Sequence, residues 1–385
     1  MNPNRVGNPQ ASSMALPLGS IALAVLLAAS PPVLARGAAP DAKATALIAE
    51  LGLQPSAVAS RDLPGWKVPS TIVVAMSDAA ELARYQAAVP GVAVVAAGEG
   101  AALAQQLADA DAYVGPCSQS TLDAAPKLRW LQHVWVGVER CVGLTGFTER
   151  GIVLTNMQRT SAIPIAEHAI ALTLSLTRGL PQAIVNQQAG TWEPSGVASG
   201  MREVHGRTML VVGLGGIGTE VARRAHSLGM RVLATRNSSR EGPDFVERVG
   251  LSNELLALAA EADVVVNATP LTPETSGLFD SGFFNAMKPG GYFVSIGRGA
   301  STVTADLLAA LKSGQLAGAG LDVTDPEPLP ADHALWRMPN VVITPHVASA
   351  SDVQDERTLI LISENLRRYA AGEPLLNVVD VERGY

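Results

Sequence analysis

The sequence predicts an α/β protein of two doubly wound parallel-sheet domains around a cleft. One is a flavodoxin-like substrate domain and the other a Rossmann dinucleotide-binding domain. Three observations carry that expectation. Apolar β-type runs alternate with helical patterns in two separate series. A glycine-rich turn joins a buried strand to an amphipathic helix. Polar residues stand just past the ends of several strands in the second series.

The first series begins at Ser70. STIVVAM (70–76) is β-type, residues 78–88 have helical spacing, and GVAVVAA (91–97) is apolar and branched. Residues 100–110 are helical again and DAYVG (111–115) is short and apolar. This β-α-β-α-β order is the mark of a parallel sheet covered on both faces. A short helical stretch at 41–51 and a Pro/Gly-bearing linker up to 69 precede it. A long alanine-rich helix is expected over 165–180, with Pro164 in its first turn and Gly179 at its end.

The second series starts at Thr208 and reads as about six strands: TMLVV, RVLAT, ADVVVNA, GGYFVSI, AGAGLDV and NVVITP. Helical patterns such as TEVARRAHSLG and ADLLAALKSG lie between them, which completes a doubly wound unit. The tail returns to helix over 355–371 and is too short to fold alone, so it is expected to pack on the first domain. The expected organisation is a substrate or lid domain of residues 41–158 and 347–385 and a dinucleotide domain of residues 159–346.

Composition agrees with packed cores. Of 385 residues, 48% are hydrophobic and only 16% charged, which excludes intrinsic disorder. The net charge of −7 gives a nucleic-acid role no electrostatic support. Two cysteines exclude a disulfide scaffold, and free thiols at Cys117 and Cys141 are the expectation, with pairing possible on export. The six histidines are scattered without metal-ligand spacing, so no metal is expected.

Residues 1–40 read as a processing segment. No charge occurs between Arg5 and Arg36, and the apolar core at 15–29 is followed by Val33, Leu34 and Ala35, a small-residue cleavage pattern. The core is shorter than the ~20 apolar residues of a membrane span, so no stable span is expected after processing. The expected location is therefore exported. The alternatives are an uncleaved anchor or a disordered extension, and a cytoplasmic chain.

The run MLVVGLGGIGTEVARRA holds Gly213, Gly215 and Gly218 in the G-x-G-x-x-G spacing. The first glycine permits the tight turn, the second lets a pyrophosphate approach the backbone, and the third lets helix and strand pack closely. The helix N-terminus then offers free N–H groups and the positive end of its dipole to the anion. The second strand ends in Thr235, Arg236, Asn237, Ser238, Ser239 and Arg240, with no acid to hold a ribose 2′-hydroxyl. Arg236 and Arg240 would attract a 2′-phosphate, with Thr235, Asn237 and Ser238 adding hydrogen bonds, so NADP(H) is expected over NAD(H), which stays possible. A merely solvated basic loop is the other reading.

Three polar residues follow strands of the same sheet: Arg298 after GGYFVSIG, Glu327 after GAGLDVTDP and His346 after NVVITP. Each alone could be an ion pair, a turn residue or a strand cap. All three at the strand ends of one sheet are far less expected by accident than any one of them.

From about Ser70 to Asn377 the chain resembles the D-isomer-specific 2-hydroxyacid dehydrogenases, a family that includes glyoxylate/hydroxypyruvate reductases and phosphoglycerate dehydrogenases. The residues that carry the resemblance include Thr155-Asn156, Ala166-Glu167-His168-Ala169 and Gly206-Arg207-Thr208 leading into the glycine loop. Thr269-Pro270-Leu271-Thr272 with Thr275, Met287-Lys288-Pro289-Gly290, and Gly297-Arg298-Gly299 extend it. Leu321-Asp322-Val323, Glu327-Pro328 and Thr344-Pro345-His346 finish the set.

The resemblance implies Arg298, Glu327 and His346 as the catalytic trio of a 2-oxo acid reduction, and elementary chemistry agrees: a guanidinium can hold the carboxylate and carbonyl oxygen by parallel hydrogen bonds, an imidazole can protonate the forming alkoxide, and a carboxylate partner fixes the ring. It implies Gly216, Ile217, Thr269, Pro270, Thr275, Ile296, Gly297 and Asp322 as cofactor contacts besides the glycine loop and the second strand end. It also implies substrate-carboxylate binding by backbone amides at Val136 and Gly137, together with Arg298, and a homodimer joined through the long helix and its flanking loop. Trp135 and Val136 are bulkier than the residues common in that loop, and Trp135 could equally belong to the core. Where most NAD users of the family carry an Asp, this chain has Arg236. The expected activity is NAD(P)H-dependent reduction of a small 2-oxo acid to the D-2-hydroxy acid, with an NADP(H)-preferring, glyoxylate- or hydroxypyruvate-type enzyme in view. The alternative is a catalytically weak dinucleotide-sensing binding protein of the same fold.

Overall fold

The computed structural model describes residues 41–75 and 78–384, so the export segment expected at residues 1–40 lies outside the described residues. Strand β1 (Pro55–Ala59) arises in the stretch read as a linker. Strands β2 (Thr71–Val74), β3 (Ala93–Ala96), β4 (Ala112–Val114), β5 (Trp130–Gln132) and β6 (Val153–Thr155) form a parallel sheet in the order β3-β2-β4-β5-β6. Seven more build a second parallel sheet: β7 (Thr208–Val212), β8 (Arg231–Thr235), β9 (Arg248–Gly250), β10 (Val264–Asn267), β11 (Gly291–Ser295), β12 (Leu316–Leu321) and β13 (Val341–Ile343). Its order is β13-β12-β11-β10-β7-β8-β9. β14 (Pro374–Leu376) pairs antiparallel with β1.

Two parallel sheets and the small β1–β14 ribbon thus make an α/β fold with a Rossmann unit. In each sheet the strand order reverses at an internal pair, β2 and β4 in the first, β7 and β10 in the second. Loops leaving the carboxyl ends of such a pair diverge to opposite faces and leave a crevice for a ligand. The strand runs that read as uninterruptedly apolar, β7 and β11, are buried along their whole length, as helices on both faces of a parallel sheet require. The second sheet has one strand more than the pattern suggested. β9 is a three-residue edge strand, too short to show a period of two.

Local signals set the helix limits. Asp78 accepts from the N–H groups of Ala80 and Glu81 at 2.8 Å each, and Glu81 reaches back to the Asp78 N–H, so helix Ala79–Ala88 opens on a capping box. The long helix runs from Ala162 to Thr177. Gly179, at φ 67°, breaks it before the expected end, and the chain restarts as helix Leu180–Gln188.

The C-terminal helix Gln354–Ala371 lies on the first sheet. Its Leu361, Leu366 and Tyr369 join Ile72, Val114 and Trp130 in one core, with the rings of Trp130 and Tyr369 4.8 Å apart. Asn365 is fully buried, and its amide donates to Gln132 Oε1 at 2.9 Å and accepts from the Leu376 N–H at 2.9 Å. That pairing fixes the tail at one register, because leaving any of those buried groups without a partner costs about 1–3 kcal/mol.

The cysteines correct the expectation of free thiols. Cys117 and Cys141 are joined in a disulfide across 24 residues, with Cα atoms 5.3 Å apart. Both are buried, one just after β4 and the other on the short helix Glu139–Val142. Sequence spacing does not report such proximity. Among the described residues no helix is long and apolar enough to cross a membrane.

Candidate active site

A cleft of about 760 Å³ opens along the carboxyl ends of both sheets. Val136, Gly137 and Glu139 line it from the first sheet's side, and Ile217, Ile296, Arg298, Asp322 and His346 from the second. Glu327 stands directly behind His346, its Oε1 2.7 Å from Nδ1. Residues scattered over more than half the chain therefore meet at one opening.

His346 is presented by a turn built on Asp322. The Asp322 carboxylate is buried and accepts from Thr344 Oγ1 at 2.7 Å, the Val347 N–H at 3.0 Å and the Ala348 N–H at 3.1 Å. The His346 N–H donates to the Asp322 carbonyl at 2.9 Å. Thr344 Oγ1, having donated its proton, accepts from His168 Nε2 at 2.8 Å. These bonds hold His346 at φ 53°, a left-handed conformation that a non-glycine residue keeps only when its surroundings enforce it. Asp322 is thus fully engaged in shaping the turn. The His346–Glu327 pair is more than 40% exposed on both sides, where an ion pair adds at most ~1 kcal/mol to stability. Its consequence is geometric: with Nδ1 occupied, Nε2 is the nitrogen left free.

Arg298 follows β11. Its carbonyl accepts from Ser301 Oγ at 2.6 Å, and Ser301 Oγ accepts from the amide of Asn267 at 2.8 Å. Asn267 is fully buried at the end of β10 and also takes the Thr269 hydroxyl at 2.7 Å and the Thr269 N–H at 3.0 Å on its Oδ1. It clamps two strand ends, and sequence reasoning missed it. The available signal was a single amide ending the apolar run VVVN.

The guanidinium of Arg298 lies against the Gly137 backbone. An ideal Cβ at that glycine would stand 2.0 Å from Arg298 Nη2, so a side chain there would have to displace the guanidinium. Beneath the same loop His133 is buried, with its ring edge-on to Trp135 at 5.2 Å. Burial pushes the His133 pKa below its ordinary value, and the carbonyls of Gly115 and Gly137 pull the other way. Trp135 is half exposed in the cleft wall and is not core. His133 and the two cysteines do converge, with ligand atoms within 4.8 Å of one another, but the sulfurs are bonded to each other and offer no thiolate.

A second cavity of about 370 Å³ lies at the ends of β7, β8 and β10. Gly213, Gly215, Thr235, Arg236, Asn237, Ser238, Thr269, Pro270 and Thr275 all line it. The N–H groups of Gly213 and Leu214 donate to the Thr235 carbonyl at 3.2 and 3.0 Å, which ties the glycine turn to β8. A Cβ on Gly218 would stand 2.0 Å from the Gly213 carbonyl oxygen, so helix Gly216–Ser227 packs on the turn only with glycine there. Gly215 has open space where a Cβ would go, which leaves the backbone approachable. Thr275 Oγ1 donates to the Pro270 carbonyl at 2.7 Å and shapes the cavity rim. The guanidinium of the half-buried Arg236 makes one bond, to the Glu241 carbonyl at 3.1 Å, and has no carboxylate partner among the described residues. Arg240 is exposed, bonded to Glu254, and does not line the cavity. The donor set fits a dinucleotide: free helix N–H groups for a pyrophosphate and an uncompensated guanidinium beyond it.

Known proteins share this plan. Residues 170–348 match the model of the D-isomer-specific 2-hydroxyacid dehydrogenase NAD-binding domain. A glyoxylate reductase of Korarchaeum cryptofilum is 35% identical over 285 residues, covering 72% of this chain and 85% of that protein. A D-3-phosphoglycerate dehydrogenase of Archaeoglobus fulgidus is 36% identical over 68% of this chain, which spans only 49% of that longer protein. The crystal structure of an NADPH-dependent glyoxylate/hydroxypyruvate reductase from Sinorhizobium meliloti, in complex with NADP and sulfate, aligns with a TM-score of 0.71 at 29% identity. The alignment covers 82% of this chain and all of that one.

The Gly137 contact is testable by itself. Gly137→Ala is expected to displace the guanidinium and weaken binding of a small carboxylate such as oxamate about tenfold or more. Dinucleotide affinity should stay within about twofold, since the glycine loop is untouched. Fluorescence titration of both ligands checks it, and unchanged oxamate binding contradicts the contact.

Proposed function

Because the chain belongs to the D-isomer-specific 2-hydroxyacid dehydrogenase family, we propose that it reduces small 2-oxo acids to D-2-hydroxy acids with NADPH as the preferred donor. The observation that carries this reading is the meeting of Arg298 and the His346–Glu327 pair in one cleft beside the Val136 and Gly137 backbone.

The reduction adds a hydride to the carbonyl carbon and a proton to its oxygen. The nicotinamide supplies the hydride when bound. Ile217 and Ile296 give that part of the cleft an apolar wall. Arg298 holds the substrate carboxylate and polarises the carbonyl, with backbone N–H groups at Val136 and Gly137 completing the carboxylate site. His346 delivers the proton from Nε2, the nitrogen not taken by Glu327, and Glu327 fixes the ring in that orientation. Gly213, Gly215, Gly216 and Gly218 would take the pyrophosphate, Ile296, Gly297 and Asp322 would border the nicotinamide, and Thr269, Pro270 and Thr275 would hold the adenosine side.

The NADPH preference rests on Arg236, with Asn237 and Ser238 beside it and no acid at the strand end. A carboxylate there would repel a 2′-phosphate, and a guanidinium attracts it. Arg240 would first have to leave Glu254 to take part. NADH remains usable, since the pyrophosphate site does not discriminate.

Two further features belong to this reading. Helix Leu180–Gln188 buries none of its residues, and Leu180, Ile184, Val185 and Trp192 expose an apolar stripe that a second copy of the chain would cover. The apolar segment at 15–29 and the buried disulfide support an exported protein, because disulfides persist in oxidising compartments. Mass measurement of the mature protein tests both. A dimer lacking the first residues is expected, and a monomer, or a chain starting at residue 1 or 14, contradicts the respective feature.

His346→Ala is expected to lower kcat by about 10²–10⁴ and to leave NADPH affinity nearly intact. Steady-state NADPH consumption with a panel of 2-oxo acids measures it. NADPH binding without any turnover by the wild-type protein would favour the dinucleotide-sensing role instead. Arg236→Asp should move the kcat/KM preference toward NADH, and an unmoved preference would contradict the phosphate assignment.

A further inference from the structure

Arg298 has a partner that the reaction above does not use. Glu139 opens the short helix Glu139–Val142 on the other side of the cleft, and its Oε1 forms an ion pair with Arg298 Nε at 2.9 Å. Both side chains are about one-third exposed, at 32% and 31%. Arg298 Nη1 donates to the Gly297 carbonyl at 2.9 Å. With Nε held in that ion pair and one Nη1 proton bonded, the Nη2 protons and the second Nη1 proton remain to meet a ligand. That free edge is the one packed against Gly137, whose ideal Cβ would stand 2.0 Å from Nη2 and 2.6 Å from Glu139 Oε2.

We propose that Glu139 is the positioning residue of Arg298. It captures Nε, so the guanidinium turns its Nη edge, and not its Nε edge, toward a 2-oxo acid seated at the Gly137 loop. The inference rests on the proposed reading of Arg298 as the substrate-binding cation. The mounting of Glu139 is firm: Cys141, two residues on, is fully buried and bonded to Cys117. A guanidinium on a long flexible stem can rotate freely in a cleft. A fixed carboxylate on Nε removes that freedom before substrate arrives, which is preorganisation.

The same carboxylate leaves a charge in the site. Its Oε2 lies beside the Gly137 backbone where the substrate carboxylate is proposed to sit, so it repels the substrate while orienting its receptor. Glu139 therefore trades affinity for alignment. Removing only its charge should tighten anion binding. Removing the whole polar contact with Nε should lose alignment.

The test compares Glu139→Gln and Glu139→Ala with the wild type by two readouts, each on the NADPH-loaded protein. One is kcat and KM for a 2-oxo acid that the wild type reduces. The other is the Kd of oxamate, a non-reducible isostere, by fluorescence titration. The glutamine variant is expected to bind oxamate about threefold or more tighter than the wild type. The alanine variant should bind it about tenfold weaker than the glutamine variant, with kcat lower by a similar factor, so that glutamine rescues what alanine loses. NADPH affinity, equal in all three, certifies the fold. Alanine equal to or better than glutamine in both readouts overturns the proposal, because the carboxylate would then merely plug the guanidinium. A wild type without turnover but with the expected oxamate order refutes the reductase reading and keeps the positioning role. No oxamate binding by any form overturns both.

Discussion

Two parallel sheets turn their carboxyl ends toward one opening, and everything chemical in this protein depends on that constraint. A strand in a parallel sheet must be followed by a crossover, so the loops at one end of the sheet are free of the connections at the other. β10, β11, β12 and β13 release Thr269, Arg298, Glu327 and His346 at the same edge of one sheet, and the loop after β5 brings Val136 and Gly137 from the other. None of these residues needs a neighbour in sequence to find its partner in space.

The edge is stiffened by buried polar groups more than by ion pairs. Asn267 bridges the ends of β10 and β11, and Asp322 gathers the turn after β13 with three hydrogen bonds from Thr344, Val347 and Ala348. Both side chains are buried, so each unmade bond would cost more than an exposed salt bridge returns. The more accessible groups, the half-buried Arg298 and the exposed Glu327 and His346, then stand at the cleft, because their backbones are held elsewhere. Rigid support beneath accessible side chains is what preorganised chemistry requires.

Much of this was legible in the amino-acid sequence. The glycine spacing between a buried strand and an amphipathic helix has few alternative causes, and the structure places Gly213, Gly215 and Gly218 in the turn they imply. Arg298, Glu327 and His346 stood out because each follows a long apolar run. What escaped was whatever depends on distance through space. The pairing of β1 with β14 joins the two ends of the described chain, and three- to five-residue strands leave little periodic trace. The disulfide links residues whose spacing says nothing about approach. Glu139 read as one more charge in a loop, since its partner lies across the cleft on the other sheet. Arg240 shows the reverse: its place beside Arg236 suggested a shared ligand, but the structure pairs it with Glu254.

The central claim is that a guanidinium grips an α-keto carboxylate while an imidazole faces its carbonyl oxygen. The crystal structure of the complex with NADPH and oxamate measures this most directly. The account expects Arg298 Nη atoms on the oxamate carboxylate and His346 Nε2 within hydrogen-bond reach of its carbonyl oxygen. Oxamate bound elsewhere, or those two side chains turned away from it, would contradict the account.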